Sequence, residues 1–252
     1  MSLLRKIGLS LKPSKRPRVT CPYCGAVLDI EPERKQKCPE CRKTMYAKKL
    51  YNEEWKRFVT EEEAAAIDAA NKEHYRQKRI AQLQQLVKDA QKSKDKYQEL
   101  TARAQLEAEL GNRDTAWRYF NEAVRETMKK GQVGGYRNLA LDMAMFLKKE
   151  GRYKHALSLL SEVCYLDYCH YSSDPELYRH FGFIFAPGVL REIRLAMRRG
   201  DIDPPAFREI FMSVAQRSPT MKAQYPPMDA WKALEEELQD CDLGPNSPTD
   251  SP

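Results

Sequence analysis

Four of the seven cysteines in this 252-residue chain form two tight pairs, Cys21-Pro22-Tyr23-Cys24 and Cys38-Pro39-Glu40-Cys41, with 13 residues between them. A two-residue gap lets both thiolates of one turn converge on a single cation. Two such turns joined by a short hairpin complete a tetrahedral four-thiolate shell suited to one Zn²⁺. That shell leaves the metal no open coordination position, so the zinc it predicts is structural and does not activate water. Val27, Leu28 and Ile30 are expected to form one strand of the hairpin, and Met45 and Tyr46 part of the next. A pair of disulfides is the weaker reading, because Met1 to Leu11 is interrupted by Arg5, Lys6, Gly8 and Ser10 and does not read as a secretory signal. A redox Cys-x-x-Cys enzyme is weaker still, since two pairs occur and no βαβ pattern surrounds them.

The run Cys21-Pro22-Tyr23-Cys24-Gly25 resembles the knuckle of the zinc-ribbon family, Cys-Pro-x-Cys-Gly. The second knuckle departs from it, with Arg42 where glycine is common, and a less tightly turned backbone is expected there. The resemblance covers residues 19–50 and implies a small β module built around its metal.

Little else in the chain is arranged for catalysis. Of the four histidines, His74, His155, His170 and His180, none falls in a Ser-His-Asp or His-Glu-x-x-His arrangement, and no glycine loop is spaced to cradle phosphate. No enzymatic activity is expected. Cys164, Cys169, His170 and His180 have the residue types of a second metal site. Cys164 and Cys169 are five apart, however, which on a helix places them about 140° apart around the axis, so packing in a core is the favoured reading. Arg191, Arg194 and Arg198, joined by Arg199, form a basic helical stripe that reads as a solvated face opposite Val189, Leu190, Ile193 and Met197.

Charge is distributed unevenly. Residues 1–50 hold 13 Lys and Arg against 4 Asp and Glu, whereas the remaining 202 residues hold 30 against 32. The net charge of +7 therefore comes from the first fifth of the chain. Arg5, Lys6, Lys12, Lys15, Arg16 and Arg18, kept extended by Pro13 and Pro17, are candidate contacts to nucleic acid or to an acidic partner. Charged residues make up 31% and apolar residues 42%, and mean hydropathy is −0.71, a balance that favours polar-faced helices. No apolar run approaches the roughly 18 to 20 residues of a membrane helix, so no membrane association and a cytoplasmic location are expected.

The elements that must carry these groups are mostly helical. Asn52 to Leu110 contains neither Gly nor Pro and is rich in Ala, Glu, Gln, Lys and Arg. Thr60 followed by Glu63 predicts a capping box and a helix start. Ile80, Leu83, Val87 and Ala90 continue an apolar seam, which Lys94 interrupts before Tyr97 and Leu100. This seam is read mainly as packing within the chain and secondarily as a self-association face.

Gly111, Ala116, Phe120 and Ala123 recur forty residues later as Gly151, Ala156, Leu160 and Val163. The segments Ala104 to Val124 and Ala144 to Cys164 resemble tetratricopeptide-type repeats. Their period exceeds the 34 residues of that family, and the excess is assigned to a loop at Gly131-Gln132-Val133-Gly134-Gly135. Asp203-Pro204-Pro205 marks another helix start, with Phe207, Ile210, Phe211 and Val214 on its apolar stripe. Trp231, Leu234 and Leu238 lie on one side of a terminal helix.

The expected architecture is mainly α, with a small N-terminal β zinc ribbon joined to an α-helical TPR-like repeat domain. Its parts are a basic arm (1–18), the zinc ribbon (19–50), a long polar helical linker (51–99), the TPR-like domain (100–240) and a disordered tail (241–252). The function expected is that of an adaptor holding a protein partner on its helical surface. The alternative is a nucleic-acid-binding regulator that uses the arm and the ribbon.

Overall fold

In the computed structural model, residues 18–169, 185–217 and 226–240 are described. Three strands, β1 (Gln36–Lys37), β2 (Thr44–Lys48) and β3 (Arg57–Val59), form an antiparallel sheet in the order β1-β2-β3. Alternation along β2 gives the sheet two working faces. Met45 is fully buried with Phe58 on the side of Cys21 and Cys38. On the other side Tyr46 and Val59 pack on Ala64 and Ile67 of the following helix α1 (Glu61–Ser93).

The hairpin is not the expected one. Met45 and Tyr46 lie in β2 as expected, but in the partner strand Val27 makes only an isolated bridge to Thr20, Ile30 is exposed, and of Val27, Leu28 and Ile30 only Leu28 is buried. The reason is local: each cysteine pair is itself a hairpin loop. The first is closed by the Thr20–Val27 bridge and the second by β1 against β2, with Gln36 opposite Met45 and Lys37 opposite Thr44. β3 lies in a stretch read as helical linker. Its three residues are held as a strand by pairing, Tyr46 with Val59 and Lys48 with Arg57.

Helix α1 starts where the capping box places it. The Thr60 amide donates to Glu63 Oε2 (2.9 Å) and the Glu63 amide donates to Thr60 Oγ1 (3.2 Å). Its first half is fastened to the end of β2 and the segment that follows. The Asn71 side-chain amide accepts from the Tyr51 amide (2.7 Å) and donates to the Lys49 carbonyl (2.9 Å), Lys48 pairs with Asp68 at 2.5 Å, and Tyr51 stacks on His74 with ring centroids 3.8 Å apart. Contacts divide the chain into two compact units, 1–81 and 82–252, with the division inside α1.

The second unit contains α2 (Lys96–Leu110), α3 (Arg113–Lys130), α4 (Val133–Lys149), α5 (Tyr153–Tyr168), α6 (Pro187–Gly200), α7 (Pro204–Arg217) and α8 (Pro227–Asp240). Lys94, with φ +57°, ends α1, and the Asp95 side chain caps α2 by accepting from the Gln98 amide at 3.1 Å. Within the seam expected along α1, Ile80, Leu83 and Ala90 are buried and Val87 is half-buried.

Gly111, Gly131 and Gly151 fall every twenty residues and all adopt positive φ. At each, the following amide reaches back to a carbonyl of the preceding helix: Asn112 to Glu107, Gln132 to Thr127 and Arg152 to Leu147. The repeated positions Ala116, Phe120 and Ala123, and Ala156, Leu160 and Val163, are all buried. The expected excess loop is absent: Gly134 and Gly135 lie inside the first turns of α4. Helices of 18, 17 and 16 residues joined by short glycine turns fill the interval instead.

Two clusters make up the core of this unit. Phe120, Leu139, Met143 and Phe146 join α3 and α4, with Leu100 and Ala104 contributed by α2. Around α5, Leu157, Leu160, Tyr165 and Leu166 meet Phe207 and Phe211 of α7 and Trp231 and Leu234 of α8. Asp203 caps α7 as expected, accepting from the Ala206 amide at 2.8 Å. The tail 241–252 lies outside the described residues, and among the described residues no helix is long and apolar enough to cross a membrane.

Candidate metal centre

Each knuckle is closed by the same pair of backbone bonds. The Gly25 amide donates to the Cys21 carbonyl (3.0 Å) and the Cys21 amide to Ala26 (2.8 Å). In the second knuckle Arg42 donates to Cys38 (2.9 Å) and Cys38 to Lys43 (2.9 Å). The looser second turn expected from Arg42 is therefore not found. Arg42 takes the left-handed conformation itself, φ +59°, where Gly25 has φ +73°. The ladder bonds on either side demand that conformation whatever residue stands there.

The two knuckles bring the Sγ atoms of Cys21, Cys24, Cys38 and Cys41 within 4.8 Å of one another. Cys21 Sγ lies 3.7 Å from Cys41 Sγ, and Cys24 Sγ lies 3.9 Å from Cys38 Sγ. Sulfurs at about 2.3 Å from one tetrahedral cation would stand about 3.8 Å apart, so the donor set fits such an ion. A disulfide needs about 2.05 Å, and these cysteines are free. Cys21 and Cys38 are buried and Cys24 is exposed.

Four thiols this close titrate against one another. Burial pushes the Cys21 thiol up, but the amides of Tyr23 and Cys24, with the neighbouring thiols, outweigh it and bring it down to about 7. For Cys24 the Ala26 amide pulls down, while burial and the sulfurs of Cys21, Cys41 and Cys38 push up, to about 12 overall. Adjacent thiolates repel, so a divalent cation is what allows all four to ionise together.

The other candidates are not brought together. Among the described residues the four-cysteine cluster is the only group of His, Cys, Asp or Glu spaced for a metal. Cys164 and Cys169 are buried in the α5 core, where burial raises both thiols; His170 and His180 lie outside the described residues. Arg194, from the basic stripe, donates to the Glu237 and Leu238 carbonyls at 3.3 and 2.7 Å and so ties α6 to the end of α8. Of the basic arm, Arg18 is exposed, and Arg5, Lys6, Lys12, Lys15 and Arg16 lie outside the described residues. The ammonium groups of Lys43 and Lys35 sit 5.0 and 4.8 Å from the ring centroids of Tyr23 and Tyr46 and cover one face of each ring.

A polar feature of the helical unit escaped the sequence reading. Arg137 donates to both carboxylate oxygens of Asp167, at 2.8 and 2.6 Å, with both residues buried. Equal spacing was its only signal: Asp167 stands at the buried position held by Leu147 and Thr127 in the helices twenty and forty residues earlier. No protein family, curated protein or solved structure matches this chain.

Proposed function

We propose that this chain is a non-enzymatic adaptor. A zinc ribbon would hold one structural Zn²⁺ on Cys21, Cys24, Cys38 and Cys41, and a TPR-like helical domain would bind a protein partner. The observation that carries the metal part is the near-tetrahedral spacing of the four sulfurs. A shell made wholly of thiolates suits Zn²⁺ and offers no position for substrate. In the cytoplasm, a reducing compartment, the thiols stay available as ligands. Support for the helical part comes from the recurring glycine turn and the shared buried positions of successive helix pairs, since stacked pairs of this kind present broad side-by-side surfaces to a partner.

Elemental analysis of the purified full chain should find one zinc per molecule. Hydrogen exchange of the chain with a purified, reconstituted partner should show protection in residues 96–240. Protection confined to residues 18–81, or the absence of any stoichiometric partner, overturns the adaptor reading.

Charge favours a second reading, a nucleic-acid-binding regulator. The excess of +9 over residues 1–50 falls only to about +7 once four thiolates and Zn²⁺ contribute −2. Anisotropy of labelled DNA and RNA at low and moderate salt tests it, because phosphate contacts make affinity fall steeply with salt. Absence of binding at low salt removes this reading.

A further inference from the structure

The apolar stripe of α7 is divided between two environments. Phe207 and Phe211 are buried, each with its ring against Trp231, whereas Ile210 and Val214 remain half-buried on the wall of an open groove of about 860 Å³. The facing wall comes from α5 and the start of α4, and the α6–α7 turn adds half-buried Ile202. Four carboxylates line this groove, Glu162, Asp201, Asp203 and Glu209, against two cations, Lys154 and Arg217.

Glu162 is the most informative of the four. Burial raises its carboxyl, and the Tyr136 hydroxyl that donates to it offsets this only in part. A half-buried carboxyl beside an apolar wall, in a groove where carboxylates outnumber the cations Lys154 and Arg217 two to one, is a ready seat for an incoming ammonium or guanidinium group. Asp203 has one oxygen committed to capping α7. Asp201 and Glu209 stand exposed on the rim.

Resting on the adaptor reading, we propose that this groove binds a short basic segment of the partner protein. Its aliphatic side chains would pack on Ile202, Ile210 and Val214, and its Lys or Arg side chains would reach Glu162 and Glu209. The chemistry is a basic peptide with interspersed aliphatic residues, chosen by the excess of carboxylates over cations and by the apolar wall between them.

The test is fluorescence anisotropy of the full-length, zinc-loaded chain with a labelled 12-residue peptide that alternates Leu with Lys and Arg. A second peptide replaces every Lys and Arg by Glu. Saturable binding of the basic peptide is expected, at least tenfold tighter than that of the acidic one. The double variant Glu162→Gln/Glu209→Gln should weaken it about tenfold, and Glu235→Gln/Glu236→Gln, which removes the same charge from an exposed face of α8, should change it less than twofold. Circular dichroism of each variant checks that the fold is kept, and Glu209→Gln alone, on an exposed residue, should weaken binding about threefold.

Equal binding of both peptides, no binding of either, or equal losses in the two double variants would overturn the groove assignment. The adaptor reading is judged separately by its hydrogen-exchange footprint: protection elsewhere on α2 to α8 would sink the groove and leave the adaptor standing.

Discussion

Replacing Arg42 by glycine should tighten metal binding, although it removes a charged side chain close to an anionic shell. Both knuckles place the residue after their second cysteine in the left-handed region, with φ +73° at Gly25 and +59° at Arg42. A Cβ in that region costs about 1–2 kcal/mol. Glycine returns roughly 0.5–1 kcal/mol of this through the greater freedom it loses on folding. The net gain is about 1 kcal/mol, and little packing is lost because the Arg42 side chain is exposed. The four ligands converge only when both knuckles are formed, so knuckle stability and metal affinity are linked, and about 1 kcal/mol appears as roughly a fivefold lower Kd for Zn²⁺.

Gly25→Ala supplies the converse. Nothing lies within 4 Å of the added Cβ, so the penalty is the backbone's alone, and Kd should rise by about fivefold or more. Arg42→Lys keeps charge and strain together and should leave Kd unchanged. Competition with a chromophoric chelator at fixed pH and ionic strength reads all three. An Arg42→Gly protein that binds no tighter than wild type, beside a Gly25→Ala protein that binds no weaker, refutes the claim that left-handed backbone limits this site.

Loss of one ligand through Cys24→Ser should release the metal and unfold residues 18–59, while the helical circular-dichroism signal changes little; unchanged zinc content in elemental analysis would contradict the ligand assignment. Because Cys24 is pushed up to about 12, Zn²⁺ must displace its proton at any pH near neutrality, and Cys21, at about 7, adds a second displaced proton below that pH. Zinc affinity should therefore rise at least tenfold per pH unit between pH 6 and 8, as chelator competition at several pH values would show. Arg137→Met strands the buried Asp167 carboxylate and should cost about 3–5 kcal/mol in urea unfolding at neutral pH, most of it recovered by Arg137→Met/Asp167→Leu. The sign with pH follows from burial, which holds the Asp167 carboxyl above its ordinary value despite Arg137. Stability from this group is fully present below its unfolded value and is lost as pH rises through its folded one, so the single variant's defect should shrink on acidification.

What could be read from the chain alone was whatever a few neighbouring residues decide. The four cysteines, the Thr60–Glu63 box, the Asp203 cap and the buried Ala116, Phe120 and Ala123 with their equivalents are local or periodic signals, and the structure places them as read. The break between α1 and α2 went unread: Asp95, three residues before Gln98, was the local signal of a cap, but the absence of Gly and Pro hid it. Where long-range pairing decides, the reading held for Met45 and Tyr46 in β2 but otherwise failed. Arg57–Val59 has no local reason to be a strand and becomes one by pairing with β2. Val27 and Ile30 look like strand residues but flank a knuckle that has already used the nearby backbone groups. Gly134 and Gly135 read as a loop on propensity. The Gly135 carbonyl instead accepts from the Tyr97 hydroxyl at 2.9 Å inside a helix whose packing overrides the local preference.

The twenty-residue interval between Gly111, Gly131 and Gly151 limits which insertions and deletions these helices can absorb. α3 has 18 residues, about five whole turns, so the chain leaves it at nearly the azimuth at which it entered. One residue more or less would rotate everything beyond it by about 100° and turn Ala116-type positions away from their neighbours. A change of seven, close to two turns, would shift the phase by only about 20°. Length variants of these helices should therefore survive in steps of about seven residues, with single-residue changes confined to the connections between them.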